Sequence, residues 1–218
     1  HRDRRQAEDG GAEQLAARLR TLEPDDPVLD QTRHNLALAL DRAAPEDADA
    51  EYLGRLVRQL TDLVGNDHDR TLRWTALLAM RLCTEGRYAE SVRTARDLAA
   101  RCAAEFGPHS VDTLRAQQIL ANSLYLDDQA EAAEDLLLAI VDAYASNADH
   151  RSADALSARV DLFSVQLERV MAGREDEQPA PGWLERWRAL ELDTRILDDD
   201  HAVRRQLLDL RAWWDDPD

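Results

Sequence analysis

Three histidines recur at equal intervals along the chain and are the first residues to consider for chemistry. His68, His109 and His150 lie 41 residues apart, and Asp67 and Asp149 directly precede two of them. Imidazole and carboxylate groups are common zinc ligands, with bonds of about 2 Å. Packed helices lie about 8–10 Å apart, so side chains in successive repeats of a helical array are poorly placed to share one metal ion. We therefore interpret these residues as polar caps of loops, and predict no metal site and no cofactor.

Two arginines at equivalent positions form a second candidate site. Arg73 and Arg115 lie 42 residues apart in a chain whose formal net charge is −17. A guanidinium group binds a carboxylate bidentately, so the pair could hold an acidic side chain or a C-terminal carboxylate of a partner. The acidic end of the chain itself, residues 215–218, is another possible occupant. The alternative is that each arginine pairs with an Asp or Glu of the next repeat and only stabilises the stack.

Motifs of common enzymes are absent from the sequence. There is no Gly-rich phosphate-binding loop, no Gly-x-Ser-x-Gly and no His-Glu-x-x-His. The many carboxylates are typical of the solvated faces of an acidic helical protein. We therefore predict that the chain is not an enzyme, although a fold does not fix a function and the alternative stays open.

A repeat with a period of 42 residues organises the whole chain. Residues 64–82, VGNDHDRTLRWTALLAMRL, align with residues 106–124, FGPHSVDTLRAQQILANSL. A third copy lies upstream around Leu36-Ala37 and Leu40, and a weaker fourth contains Leu156 and Leu162. Units of this kind cannot bury their apolar face alone and must stack on one another. The repeat predicts an all-α solenoid of helical hairpins.

Apolar spacing and Gly/Pro positions divide the chain into helices. We predict that residues 1–22 end a preceding repeat as its second helix, residues 23–172 form three to four repeats, 173–182 form a linker, and 183–218 form a C-terminal helical cap. The predicted helices are 12–22, 29–42, 46–64, 70–84, 88–106, 111–126, 129–146, 152–171, 183–193 and 199–214. The chain begins in polar residues without Met, and we expect it to be part of a longer protein.

Two segments carry a family resemblance. Pro24-Asp25-Asp26-Pro27-Val28-Leu29 followed by Asn35-Leu36-Ala37, and Gly65 to Leu72 followed by Leu78-Ala79, resemble tetratricopeptide repeats of the 42-residue type found in kinesin light chains and bacterial regulators. The resemblance covers about residues 23–168 and implies a right-handed superhelix that binds proteins or peptides. The chain departs from that pattern at Phe163, where the other copies have Ala, and the family's Asn is present only at Asn35.

The resemblance and the helical phase together predict a ligand-binding concave face on the first helix of each hairpin. The face lies opposite the side that packs on the second helix. The candidate ligand-binding residues are Gln31, His34, Asn35, Leu38, Arg73, Leu77, Met80, Arg115, Gln118, Ile119, Asn122 and Asp161. The apolar members among these, such as Leu77 and Met80, have core packing as their alternative.

The composition of the chain limits the classes of partner and suggests the localisation and source of the protein. The net charge of −17 repels phosphates, so we expect no nucleic acid and no anionic membrane as partner. No stretch has the roughly 18 apolar residues of a membrane span, and we predict a cytoplasmic protein. All 27 basic residues are Arg, which is typical of a GC-rich genome and predicts an actinobacterial source. Cys83 and Cys102 are expected as buried thiols, with a disulfide between neighbouring helices as the alternative.

These observations predict a protein- or peptide-binding repeat domain that acts as the sensor or adaptor region of a larger regulatory protein. The alternative is a scaffold or self-association module. Its contact surface would be the cap and the adjacent aromatic pair Trp213-Trp214, because clustered exposed aromatics mark interfaces.

Overall fold

The structure is a computed structural model that describes residues 13–22, 26, 28–45, 47–147, 151–171, 181–198 and 200–215. For residues 171, 181 and 212–215 it describes the backbone alone. Within these ranges the chain forms ten helices and no strand, so the all-α prediction is confirmed. The helices are α1 (13–19), α2 (Leu29–Ala43), α3 (Ala50–Val64), α4 (Asp69–Thr84), α5 (Tyr88–Phe106), α6 (Val111–Leu126), α7 (Ala130–Ser146), α8 (Ala153–Met171), α9 (Pro181–Thr194) and α10 (Ala202–Asp215).

Several predicted features lie outside the described residues. They include Asp149 and His150, most of the predicted linker, the first twelve residues, the acidic end from residue 216, and the side chains of Trp213 and Trp214. The predicted domain division therefore stays a prediction.

The chain divides into two compact units, residues 1–105 and 106–218. In unit 1, α2 packs against α3 and α3 against α4. The core of this unit contains Leu53, Leu56 and Leu60 of α3, which recur every three to four residues and so line one face of the helix. Ala37 of α2 is fully buried against this stripe, and its small side chain allows the two helices to approach closely.

Helix α3 begins at Ala50 instead of near residue 46, as the periodicity had suggested. The carboxylate of Asp49 accepts a hydrogen bond of 2.7 Å from the backbone N–H of Tyr52. An acidic N-cap of this kind satisfies one of the unpaired N–H groups of the first turn and so fixes the start of the helix.

The Gly and Thr residues of the repeat form the same loop hydrogen bond in two copies. Gly65 and Gly107 end their helices with positive φ, at 96° and 89°, a conformation that side chains other than Gly rarely adopt. The hydroxyls of Thr71 and Thr113 then each donate a 2.8 Å hydrogen bond to the carbonyl of the glycine six residues earlier. This bond closes the loop onto the next helix, which explains why Gly and Thr recur together.

In unit 2, the packing of three helices is repeated one step further along the chain. Helix α6 packs on α7, α7 on α8, and α6 on α8; in the same way α8 packs on α9, α9 on α10, and α8 on α10. We call α2, α4, α6 and α8 the A helices. Helix α10 occupies the place of an A helix beside α8, although its spacing departs from 42 residues.

Phe163 shows how the fourth repeat accommodates a bulky residue where the other repeats have Ala. Its ring is 1% exposed and meets the ring of Trp183 edge to face, with 5.6 Å between centroids. Trp187, one turn further along α9, donates a 3.0 Å hydrogen bond from its indole nitrogen to the carbonyl of Leu207. Aromatic residues of α9 therefore fill the space between α8 and α10.

Candidate functional site

The A-helix face of α2 is polar and exposed. Gln31, His34 and Asn35 all point to solvent, whereas Leu38 is half-buried. The Gln31 amide donates a 3.0 Å hydrogen bond to the Asn35 side-chain oxygen. The His34 ring lies edge to face with that of His68, at 6.1 Å between centroids. His68 itself accepts a hydrogen bond from the backbone N–H of Arg70 and so caps α4.

Arg73 is engaged by a neighbouring A helix. Its guanidinium forms an ion pair with Asp41 of α2. The same carboxylate accepts a 2.7 Å hydrogen bond from the indole nitrogen of Trp74 and lies 3.7 Å from the Nε of Arg70. Asp41 thus contacts three side chains of α4, two by hydrogen bonds and Arg70 by an ion pair. It belongs to the preceding repeat, whereas the stack-stabilising alternative placed the partner of each arginine in the next repeat.

Leu77 and Met80 line an apolar pocket beside the same face of α4. Their exposed fractions are 40% and 51%, so neither is a core residue. The pocket, about 450 Å³ in volume, is also lined by Ala44, Pro45, Ala48, Leu53, Trp74, Arg81 and Thr84. We call it the unit 1 pocket.

Arg115 is engaged by Asp154 in unit 2. Its Nε and Nη2 donate to the two carboxylate oxygens of Asp154 at 3.1 and 2.8 Å, a bidentate pair between α6 and α8. The hydrogen bond to Asp154 is the main reason that the pKa of Arg115 is raised. The pair is largely exposed. Both candidate arginines therefore bind carboxylates of this chain.

A row of polar side chains connects three helices of unit 2. The Gln118 amide of α6 donates to Ser157 and Asp161 of α8 at 2.8 and 2.5 Å. The other carboxylate oxygen of Asp161 accepts a 2.8 Å hydrogen bond from Gln206 of α10. Asp161 thus fixes α10 in register beside α8, at the repeat position occupied by the half-buried Ile119 in α6.

Next to this row lies a groove of about 1050 Å³, which we call the unit 2 groove. Helices α6, α8 and α10 supply nearly all of its wall. The lining residues are Ala121, Asn122, Tyr125, Leu137, Asp161, Ser164, Val165, Glu168, Ala202, Arg205, Gln206, Asp209 and Leu210. Its volume is at the upper end of the range for small-molecule pockets, so it has room for several residues of a peptide.

Two carboxyl groups in the groove have raised pKa values. Burial raises the pKa of Asp161, and the hydrogen bonds from Gln206 and Gln118 oppose this rise. Burial also raises the pKa of Glu168. Partial removal of water disfavours the charged form of each group, so each carboxylate gains from a cation or donor placed beside it.

The structure brings together only part of the predicted ligand-binding set. Asn122 and Asp161 line the unit 2 groove, and Gln118 holds Asp161 in place. Leu77 and Met80 line the unit 1 pocket, and Gln31 and His34 border another surface depression near His68. As binding residues, all of these stay predictions.

Sequence reasoning missed the contribution of α10. Arg205, Gln206 and Asp209 face the groove, but α10 was interpreted as a cap off the repeat pattern. The spacing of Val203, Leu207 and Leu210 marks the buried side of this helix. That phase places Gln206 and Asp209 beside it and could have identified them.

In the described part of the chain, no three His, Cys, Asp or Glu side chains converge in a geometry that would hold a metal ion. No helix in that part combines the length and apolarity needed to cross a bilayer. Cys83 and Cys102 are both buried.

Comparison with solved structures identifies the fold. The chain is similar to the nearly identical TPR-like repeats of a kinesin light chain assigned in Podosopora anserina, with a TM-score of 0.55, 22% identity, and coverage of 85% of this chain and 86% of that one. A second structure of that protein gives a TM-score of 0.53 at 22% identity, covering 84% and 85% of the two chains. BtubC (BKLC) from P. vanneervenii gives 0.48 at 16% identity, over 97% of this chain and 92% of that one.

The likeness to the first two structures confirms the prediction of a tetratricopeptide-like helical solenoid. A scan against protein-family models found no match. A search of curated proteins likewise found none.

Proposed function

We propose that this chain is a protein- or peptide-recognition domain whose binding site is the unit 2 groove. The observation that carries the proposal is a cavity of about 1050 Å³ bounded by α6, α8 and α10. Its walls combine apolar surface with a few amide, hydroxyl and charged groups, the composition expected of a ligand site. Tetratricopeptide-like repeats offer the same face of successive A helices to a partner.

The setting proposed for this activity is the one that the sequence suggested. The domain would be the sensor or adaptor region of a larger cytoplasmic regulatory protein, with the ligand held on the A helices. Occupation of the groove would bridge α6, α8 and α10 and so favour one arrangement of these three helices. A ligand can bias such an arrangement only by as much as it prefers one form over another.

A random peptide library displayed on phage tests the proposed site. Selection is performed on the immobilised wild-type chain and on an Asn122→Arg variant, because Asn122 is exposed and faces the groove. The matched control is Ala139→Arg, which adds the same charge on an exposed position of α7. We expect peptides that bind the wild type and the control but not the groove variant. Equal recovery of all peptides on the three proteins would refute the proposal.

Self-association is a second candidate function, favoured by exposed apolar residues near the end of α9 and on α10. Leu192, Ile196 and Leu208 are 62%, 61% and 45% exposed. Clusters of such residues mark protein contacts when they form one patch. Sedimentation at a series of concentrations measures this. A mass that rises with concentration in the wild type, and not in a Leu192→Glu/Ile196→Glu variant, supports it; a constant monomer mass contradicts it.

A further inference from the structure

The walls of the unit 2 groove contain more free negative than positive charge. Asp161, Glu168 and Asp209 supply three carboxyl groups, whereas Arg205 is the single basic residue of the lining. Asp161 is already held by two amide donors. Among the described residues, neither Glu168 nor Asp209 has an ion-pair or hydrogen-bond partner for its carboxylate.

Three arginines elsewhere in unit 2 are already neutralised. Arg115 pairs with Asp154, Arg159 with Asp193 at 2.7 Å, and Arg169 with Glu134. These pairs lie between successive helices and stabilise the stack. Among the described residues, Glu168 and Asp209 differ from these three paired carboxylates, because they line the groove and form no ion pair.

The groove also has an apolar part. Ala121, Leu137 and Val165 line it and belong to, or border, the buried core shared by α6, α7 and α8. Tyr125 and Leu210 extend this apolar surface on either side. A ligand that fits must therefore bury apolar groups and place a charge at the carboxylates.

The charges of the chain and of the groove favour a ligand that carries a positive charge. The chain as a whole has a formal net charge of −17, so its field attracts cations and slows the approach of acidic partners. Arg205 lies one helical turn from Asp209 on α10, where the neighbouring carboxylate weakens its attraction for an anion. Burial has removed part of the water around Glu168, which makes a cationic partner more valuable there.

We propose that the unit 2 groove recognises a peptide segment in which a Lys or Arg side chain is flanked by apolar residues. The cation lies between Glu168 and Asp209, and the apolar residues lie on Tyr125 and Leu210. This inference rests on the proposed function, because it names the partner chemistry of the same groove. It replaces the acidic ligand that the two arginines suggested, since both arginines are paired within the chain.

The peptides selected on the wild-type chain provide the first measurement. Among peptides that require the open groove, we expect Lys or Arg between apolar residues to be enriched over the unselected library. Groove-dependent peptides that are neutral or acidic would overturn this inference and leave the proposed function standing. The absence of any groove-dependent peptide would instead refute the proposed function itself.

A charge cycle on one selected peptide provides the second measurement. The peptide is synthesised with its basic residue and with norleucine in its place, and each form is titrated by fluorescence anisotropy against wild type and a Glu168→Gln/Asp209→Asn variant. We expect the variant to weaken binding of the basic peptide at least about tenfold, the effect of losing one charge-assisted contact, and to leave the norleucine form unchanged.

The matched control for the cycle is an Asp135→Asn/Asp142→Asn variant. It removes the same formal charge from exposed positions of α7. We expect this control to weaken binding of the basic peptide by less than about twofold, because exposed charges are screened by salt over about 10 Å. An equal loss in the control and the groove variant would show only a general effect of net charge and would overturn the assignment of Glu168 and Asp209. Circular dichroism confirms that each variant is folded.

Discussion

The A-helix faces of the two units use equivalent repeat positions for different chemistry. In unit 1, Leu77 and Met80 are exposed and line an apolar pocket. In unit 2, the position of Leu77 is occupied by Asp161, which binds Gln118 and Gln206 across three helices. The buried Ala recurs at Ala37, Ala79 and Ala121, whereas the outward position changes from Leu77 in unit 1 to Asp161 in unit 2. The surface chemistry of the A helices therefore differs between repeats that pack in a similar way.

The largest effect is expected at the position where the A helix packs on the second helix of its hairpin, which is Ala79 in unit 1 and Phe163 in unit 2. Phe163→Ala should lower the free energy of unfolding by about 3–5 kcal/mol, because it leaves a cavity beside Trp183. Ala79→Phe, at the equivalent position of unit 1, should cost about 1–3 kcal/mol by overpacking, since Ala79 is fully buried. Urea unfolding followed by circular dichroism measures both.

Leu138→Ala serves as the control for these core changes, because Leu138 is 43% exposed. Its effect should stay within about 0.5 kcal/mol. If Phe163→Ala were no more costly than this control, the fourth repeat would not depend on its aromatic core.

Asp41 should be the most sensitive carboxylate of unit 1. Its side chain is 14% exposed and accepts from both Arg73 and Trp74. Asp41→Ala leaves these donors unpaired and should lower the free energy of unfolding by about 1–3 kcal/mol. Asp62→Ala removes the same charge from an exposed position of α3 and should have almost no effect. Equal urea midpoints for the two variants would contradict a structural role for Asp41.

Asp161 should make the stability of unit 2 depend on pH in acid. Burial raises its pKa in the folded chain, so between about pH 4, the unfolded value, and the folded pKa the native state binds more protons. Its contribution to stability therefore falls as pH rises through this window. Relative to wild type, Asp161→Asn should become more stable over the same window, as measured by urea unfolding at a series of pH values. A difference that is independent of pH would argue against the burial effect.

The smallest effect is expected for the exposed pair of unit 2. Asp154→Ala breaks the bidentate contact with Arg115, yet the arginine side chain is 56% exposed. Such pairs contribute about 0–1 kcal/mol, and the contribution shrinks at high salt. We expect Asp41→Ala to lower the free energy of unfolding more than Asp154→Ala does. A larger decrease for Asp154→Ala would contradict the conclusion that the carboxylate of unit 1 contributes more to stability.

Much of the fold could be predicted because the start of each A helix and the loop before it depend on residues that are close together in the sequence. The period places α4, α6 and α8, which begin 42 residues apart at Asp69, Val111 and Ala153. Gly107 and Thr113 mark a loop whose hydrogen bond depends on only those two residues. Local signals of this kind do not require knowledge of distant contacts.

The candidate site was less predictable because it depends on contacts between helices. Helical phase placed Asn122 and Asp161 on the same face of their A helices, and both line the groove. It gave no information about the carboxylates that reach Arg73 and Arg115. The pairing of Arg115 with a residue 39 positions away is a tertiary fact. The irregular spacing of α10 hid a third wall of the groove. The actinobacterial source and the 42-residue family type stay predictions.

The packing of α10 determines what fraction of the molecules has a complete groove. Among the described helices, α10 packs on α8 and α9, so it can detach by local opening without disrupting α6 and α7. A helix that packs on only a few neighbouring elements opens at a lower free energy than the whole molecule. Every molecule with α10 detached lacks Gln206 and Asp209 at the proposed site, so the apparent dissociation constant of the proposed ligand would rise in inverse proportion to the docked fraction. Substitutions in the buried face of α10 would then tune affinity from outside the groove, without changing a single contact to the ligand.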